Sequence, residues 1–128
     1  KGTQFGEKLR ASGIECEYED PDYTVMMFTP ETDDDTFKKV IDASGKCSEK
    51  LTPENLQMPL PPKKLSIREA IFADREEISV EDSAGRIVAD TSVGCPPAVP
   101  VLISGEIVTQ NAVDVMKYYG IDTIRVIK

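Results

Sequence analysis

Apolar residues recur along this chain at two alternating periods, and each change of period marks an element. Phe5 and Leu9 lie one helical turn apart and Gly13 follows. That pattern predicts a helix over residues 3–12 closed by a glycine cap. Ile14, Cys16 and Tyr18 then alternate with Glu15, Glu17 and Glu19, which predicts a strand with one wet face. Asp20-Pro21-Asp22 has turn chemistry. The run Tyr23 to Thr29, YTVMMFT, is too short for a helix and predicts a buried strand. Thr32 or Asp33 can cap the next helix, with Asp33, Asp34 and Asp35 in a first turn whose dipole favours anions. Phe37, Val40 and Ile41 mark its expected buried face, and Gly45 with Lys46 marks its end.

Residues 52–64, TPENLQMPLPPKK, hold Pro53, Pro59, Pro61 and Pro62. Each lacks an N–H and has a fixed φ, so this stretch predicts a linker between two halves. Ser66-x-x-Glu69 is a capping-box pattern, and Ile67, Ala70 and Ile71 give the helix behind it one apolar face. Short strands are expected at 77–80, 86–91 and 101–103. A helical turn at 81–84, stopped by Gly85, separates the first two. Thr109 caps a last helix whose stripe is Ala112, Val115, Met116 and Tyr119, and residues 121–127 end the chain as a strand. Ser12-Gly13-Ile14-Glu15 and Tyr119-Gly120-Ile121-Asp122 share one helix-to-strand punctuation, without a wider repeat.

Charge narrows the choice of partners. The 128 residues carry a net charge of -8, which repels nucleic acid and anionic membrane surfaces. Residues 1–60 contribute -6 of it (13 acids, 7 bases) and residues 61–128 contribute -2 (10 acids, 8 bases). No apolar run is long enough to span a membrane. No secretory leader pattern is present, and the chain starts on a predicted helix without Met, which reads as a segment of a longer protein. Three cysteines, Cys16, Cys47 and Cys95, form no CxxC, and a cytoplasmic location is expected.

Little in the chain carries chemistry. There is no histidine, which removes the commonest general base and zinc ligand. Glycine-rich phosphate motifs are absent. The Asp33–Asp35 carboxylates point in different directions on a helix, so no metal site is expected there. Arg86 is read as a structural partner of Glu81 and Asp82, and Cys95 as a small buried hydrophobe. Glu106 stands out: it follows a glycine in a turn, where loops present function. Binding a substrate amine and supporting the following helix are equally good readings of its carboxylate.

The segments LSIREAIFA, EEISVEDSAGRIVAD and CPPAVPVLISGEIVT, in that order, resemble the C-terminal region of bacterial fold-type I ornithine/lysine/arginine decarboxylases. The family's "PReA", "eeAvGRi-Ae", "YPPGIP" and "PGE-it" patterns correspond to Ser66 to Ala70, Asp82 to Ile87 with Ala89-Asp90, Pro96 to Pro100 and Ser104 to Ile107. Cys95, Ala98 and Ser104 depart from them. Molybdopterin-biosynthesis proteins share the "AGRI" grammar, but that likeness ends near Pro100. The decarboxylase resemblance implies an α/β (α+β) fold. Residues 1–51 would end an aminotransferase-like small domain, 52–64 would link, and 65–128 would form a compact C-terminal domain. It also implies a pyridoxal 5'-phosphate parent enzyme that makes polyamine precursors. The Schiff-base lysine would lie in an upstream large domain, the assembly would be a homodimer or larger, and this segment would hold no catalytic, cofactor or metal residue. Pro96, Pro97 and Glu106 become candidates for lining the substrate entrance. The alternatives are a free-standing acidic module that binds a basic protein and a fragment of a molybdopterin-biosynthesis-type protein.

Overall fold

A computed structural model describes residues 1–45, 56–90 and 99–128. The chain divides into two compact units, Lys1–Glu54 and Asn55–Lys128. Helices and antiparallel strands are mixed in both, an α+β fold.

The first unit contains helix α1 (Gly2–Ala11), a hairpin of β1 (Tyr18–Glu19) and β2 (Thr24–Val25), and helix α2 (Asp34–Ser44). A Schellman motif ends α1. Gly13, at φ 76°, donates to the Arg10 carbonyl, and Ile14 donates to that of Leu9. The hairpin turn is closed by Asp20, whose Oδ1 accepts the N–H groups of Asp22 and Tyr23 at 2.7 and 2.6 Å. The same turn caps α1, because Gly2 and Thr3 donate to the carbonyls of Pro21 and Asp20. No side chain fits at Gly2: a Cβ there would overlap the carbonyl oxygens of Tyr23 and Asp20. Arg10 grips Glu19 with two hydrogen bonds, at 2.7 and 3.0 Å, holding the Glu19 carboxyl below its usual range.

Three expectations for this unit change. The strand predicted from Ile14 is paired only at Tyr18–Glu19, although Ile14 and Cys16 are half-buried and Glu15 and Glu17 exposed, as its alternation requires. The run Tyr23–Thr29 is not a buried strand: two of its residues pair, and Tyr23, Val25, Met27 and Phe28 are exposed. Helix α2 is capped by Asp33, which accepts the Thr36 N–H at 2.7 Å. It has no buried residue, and Phe37 and Ile41 lie open. Leu9 is the one large residue among the described part of this unit that is fully buried. The apolar pattern marks a face that the described residues of the unit leave largely open to water.

The second unit is better closed. Helix α3 (Ile67–Phe72) starts on the predicted capping box. Ser66 N–H and Oγ donate to Glu69 Oε2 at 2.8 and 2.6 Å, and Glu69 N–H donates back to Ser66 Oγ. Strand β3 (Arg75–Ser79) leads into a 3₁₀ turn at Val80–Asp82. Then come β4 (Val88–Asp90), helix α4 (Gln110–Tyr118) and β5 (Thr123–Ile127). The last strand lies between β3 and β4, antiparallel to both. The core joins Val80, Val88, Leu102, Val108, Ala112, Val113 and Met116, with Val101 and Ile124 against it; each fully buried valine of this set contributes about 1.5 kcal/mol or more. Tyr119, expected in the α4 stripe, is instead exposed. Residues 101–103 are not a strand: only Leu102 is buried, and Ile103 faces water. A second Schellman motif, Gly120 to Lys117 and Ile121 to Met116, ends α4. The punctuation shared by Gly13 and Gly120 is this motif, with an apolar residue at each of its two contact positions.

Beyond β4 the ladder continues through irregular chain. Gly85 and Val88 donate to the carbonyls of Val108 and Glu106, and Val108 donates to that of Arg86. On the other side, Lys64 and Leu65 donate to the Gly105 carbonyl, and Ile107 donates to that of Pro62. Residues 105–108 thus lie between 62–65 and 85–88.

Two outcomes follow for stability. Gly105 has φ 90°, and a Cβ on it would strike the Leu65 carbonyl, whereas Gly85, at φ 83°, has open space around it. Gly85→Ala should cost about 1–2 kcal/mol, the left-handed conformation alone, and Gly105→Ala about 3 kcal/mol or more. Urea unfolding of both variants checks this, and equal losses would refute the close approach. The bonds from Ser66 keep the Glu69 carboxyl below its usual range. Its contribution is therefore full above that range and fades as pH falls through the lowered value. Glu69→Gln should be destabilising at about pH 6, and its deficit should shrink toward about pH 3. A deficit that stays constant across thermal melts at those pH values would rule this out.

Candidate functional site

The turn at residues 103–106 holds the sequence candidate that the structure describes. Ser104 and Gly105 are buried in it, and Glu106 is half-buried. Gly105 N–H donates to the Val88 carbonyl at 2.8 Å, which anchors the turn to β4. Glu106 closes it twice. Its N–H donates to the Ile103 carbonyl at 3.1 Å, and its Oε2 accepts the Ile103 N–H at 2.8 Å. Its backbone sits opposite Lys63 across the neighbouring chain.

This geometry separates the two readings of Glu106. The N-terminus of α4 is capped by Thr109, whose Oγ1 accepts the Ala112 N–H at 3.2 Å, so Glu106 is not that helix's partner. Its carboxylate organises its own turn through one oxygen. Pro96 and Pro97, the other two entrance candidates, lie outside the described residues, as do Cys95 and Ala98.

Arg86 has the structural role expected of it, with different partners. Its Nη2 donates to Glu76 Oε1 at 2.6 Å and to the Ile127 carbonyl at 2.7 Å, tying β3 and β5 to the chain before β4. Glu81, the expected partner, pairs with Lys117 on α4 instead, which lowers the Glu81 pKa and raises that of Lys117. The reason is register: β3 carries Glu76 back past Arg86, whereas the 3₁₀ turn points Glu81 toward α4. The sequence reading also missed an ionic row across the sheet. Asp90 receives Arg75 at 2.7 Å and Arg125 at 3.3 Å, and Arg125 reaches Glu77 at 3.5 Å. Arg75 and Glu77 are two apart on β3, so they share a face. Only the pairing of Glu77 with Arg125 shows that this face is continuous.

The described residues do not fit a pyridoxal phosphate site. Such a site needs a lysine shielded from water for its Schiff base. Every described lysine is exposed, and Lys38 and Lys117 are held by Asp35 and Glu81. Asp33 and Asp35 diverge, one capping α2 and the other pairing with Lys38. No group of three His, Cys, Asp or Glu side chains comes together for a metal among the described residues. No helix among them is long and apolar enough to cross a membrane.

Comparison with known proteins places this architecture. The family model described as "Orn/Lys/Arg decarboxylase, C-terminal domain" matches residues 46–123. An arginine decarboxylase of Bacillus subtilis is 26% identical over 119 residues, covering 86% of this chain and 24% of that protein. An arginine decarboxylase of Halalkalibacterium halodurans is 38% identical over 61 residues, covering 47% of this chain and 12% of the relative. The solved constitutive lysine decarboxylase of E. coli superposes with a TM-score of 0.69 at 16% identity, over 99% of this chain and 28% of that one. The chain thus spans less than a third of the length of these proteins. With the match covering well over half of its residues, the chain belongs to the Orn/Lys/Arg decarboxylase C-terminal domain family.

Proposed function

We propose that this chain is the C-terminal portion of a pyridoxal-phosphate-dependent decarboxylase of a basic amino acid, and that it completes the enzyme without catalysing by itself. The match of residues 46–123 to the C-terminal domain of this family carries the reading. In this reading the Schiff-base lysine belongs to another part of the enzyme, upstream of the matched domain. In this reading residues 1–51 finish a small domain, 52–64 link, and 65–128 form the C-terminal domain of a cytoplasmic, oligomeric enzyme. When bound to the parent, the cofactor supplies the electron sink for loss of CO₂.

Glu106, with Pro96 and Pro97, lines the substrate entrance in this proposal. Glu106 Oε2 is engaged by the Ile103 N–H, which orients the carboxylate and leaves its charge for the cationic side chain of a basic amino acid. The net charge of -8 favours the approach of such substrates.

Two measurements test the proposal. The full-length enzyme should decarboxylate at least one of arginine, lysine and ornithine, and residues 1–128 with added pyridoxal phosphate should decarboxylate none; an inactive full-length enzyme would refute the assignment. In the full-length enzyme, Glu106→Gln keeps the turn's acceptor and removes its charge. It should lower kcat/KM about tenfold, mainly through KM. An unchanged kcat/KM would limit Glu106 to holding its turn.

A further inference from the structure

The first unit leaves one face of its hairpin bare. Along the strand that contains β2, Tyr23, Val25 and Met27 alternate onto one side and are 61%, 46% and 70% exposed. Thr24 and Met26, between them, are half-buried. Thr24 Oγ1 donates to the Gly2 carbonyl at 2.8 Å, so the covered side is the one that meets α1. Past the bare side, Phe28 stacks on Phe37 of α2 with centroids 4.8 Å apart, and both rings remain exposed. The strand is also under-used. Of the seven residues Tyr23–Thr29, only Thr24 and Val25 belong to a strand. The described part of the unit buries a single large side chain, Leu9, too little to offset the entropy of ordering about 45 residues.

We propose that the Tyr23–Val25–Met27 face is an internal interface of the longer enzyme, covered by residues of the same polypeptide that precede Lys1. The inference rests on the reading of the chain as the end of a decarboxylase. Its occupant follows from two observations. The matched model is a C-terminal domain that begins at residue 46, so the first unit is on its upstream side. This chain accounts for 24% of the Bacillus subtilis relative and 28% of the E. coli chain, so in proteins of that plan most of the polypeptide lies upstream. An apolar strand face beside an α1-covered one is half of a layered structure, and the missing layer is apolar chain.

Photo-crosslinking in the full-length enzyme names the occupant. Met27→p-benzoylphenylalanine, irradiated and digested, should yield a crosslink within one chain to a peptide upstream of Lys1. A crosslinked dimer would transfer the cover to a second copy, and a crosslink to residues 55–128 would transfer it to the second unit; either overturns the proposal. Where no crosslink forms, oxidation of the unmodified enzyme by dilute peroxide decides. Protection of Met27 to within about twofold of buried Met116 supports the interface, and oxidation about tenfold faster overturns it. Decarboxylase activity of the same preparation tests the underlying reading separately. An active enzyme with an open Met27 would sink the interface alone, and an inactive one with a covered Met27 would sink the assignment alone.

Discussion

The second unit depends on one close approach, that of the Gly105 backbone to the Leu65 carbonyl. A positive φ at this residue turns the chain out of the Ile103–Glu106 turn, and the missing Cβ lets it pass. Once there, residues 105–108 meet chain on both sides: Pro62 to Leu65 on one, Gly85 to Val88 on the other. Buried backbone groups must find partners, and here a short irregular strip provides them for two neighbours. Val108 enters the core from the same strip, and Thr109, the next residue, caps α4. Position, pairing and helix start are therefore coupled within five residues.

That coupling explains why local features were legible from sequence and longer-range ones less so. Asp33, Ser66 and Thr109 cap their helices because a short polar side chain needs only a backbone N–H two or three residues ahead. Gly13 and Gly120 stop theirs for a reason equally local. The second core was legible because Ala112, Val115 and Met116 keep helical spacing. Residues 101–103 misled. Three consecutive apolar residues suggest a buried strand, but Leu102 alone enters the core, and the following turn is shaped by Glu106.

The candidate site was legible in part. A glycine before an acid marked the turn, and Glu106 does sit in one. Nothing in the spacing showed that the carboxylate would take the Ile103 N–H, since a side chain reaching back three residues competes with every other acceptor nearby. The partners of Arg86 were equally hidden. Glu81 and Asp82 are near in sequence, but the register of β3 on β5 brings Glu76 and the Ile127 carbonyl closer. The row from Arg75 through Asp90 and Arg125 to Glu77 arises the same way. Each pair is solvent-accessible and worth at most about 1 kcal/mol alone, so the row serves mainly to fix which residues face each other across the sheet.

The two units read the same apolar alphabet to different ends. In the second, alternation and helical stripes agree with each other, and both converge on Val80, Val88, Val108 and Met116. In the first, the stripe Phe37–Val40–Ile41 and the alternation Tyr23–Val25–Met27 are as regular, yet neither is buried. Periodicity reports which side of an element must leave water; it carries no information about what takes water's place. A regular pattern left exposed is therefore a statement about a neighbour. The backbone of the first unit supports this. Its Asp20 turn is local, and the α1 cap and the Arg10–Glu19 clamp join only the hairpin to that helix, which sets the shape of a hairpin and helix by polar contacts. In the proposed interface such a piece presents a face, and the residues covering it would add to its stability.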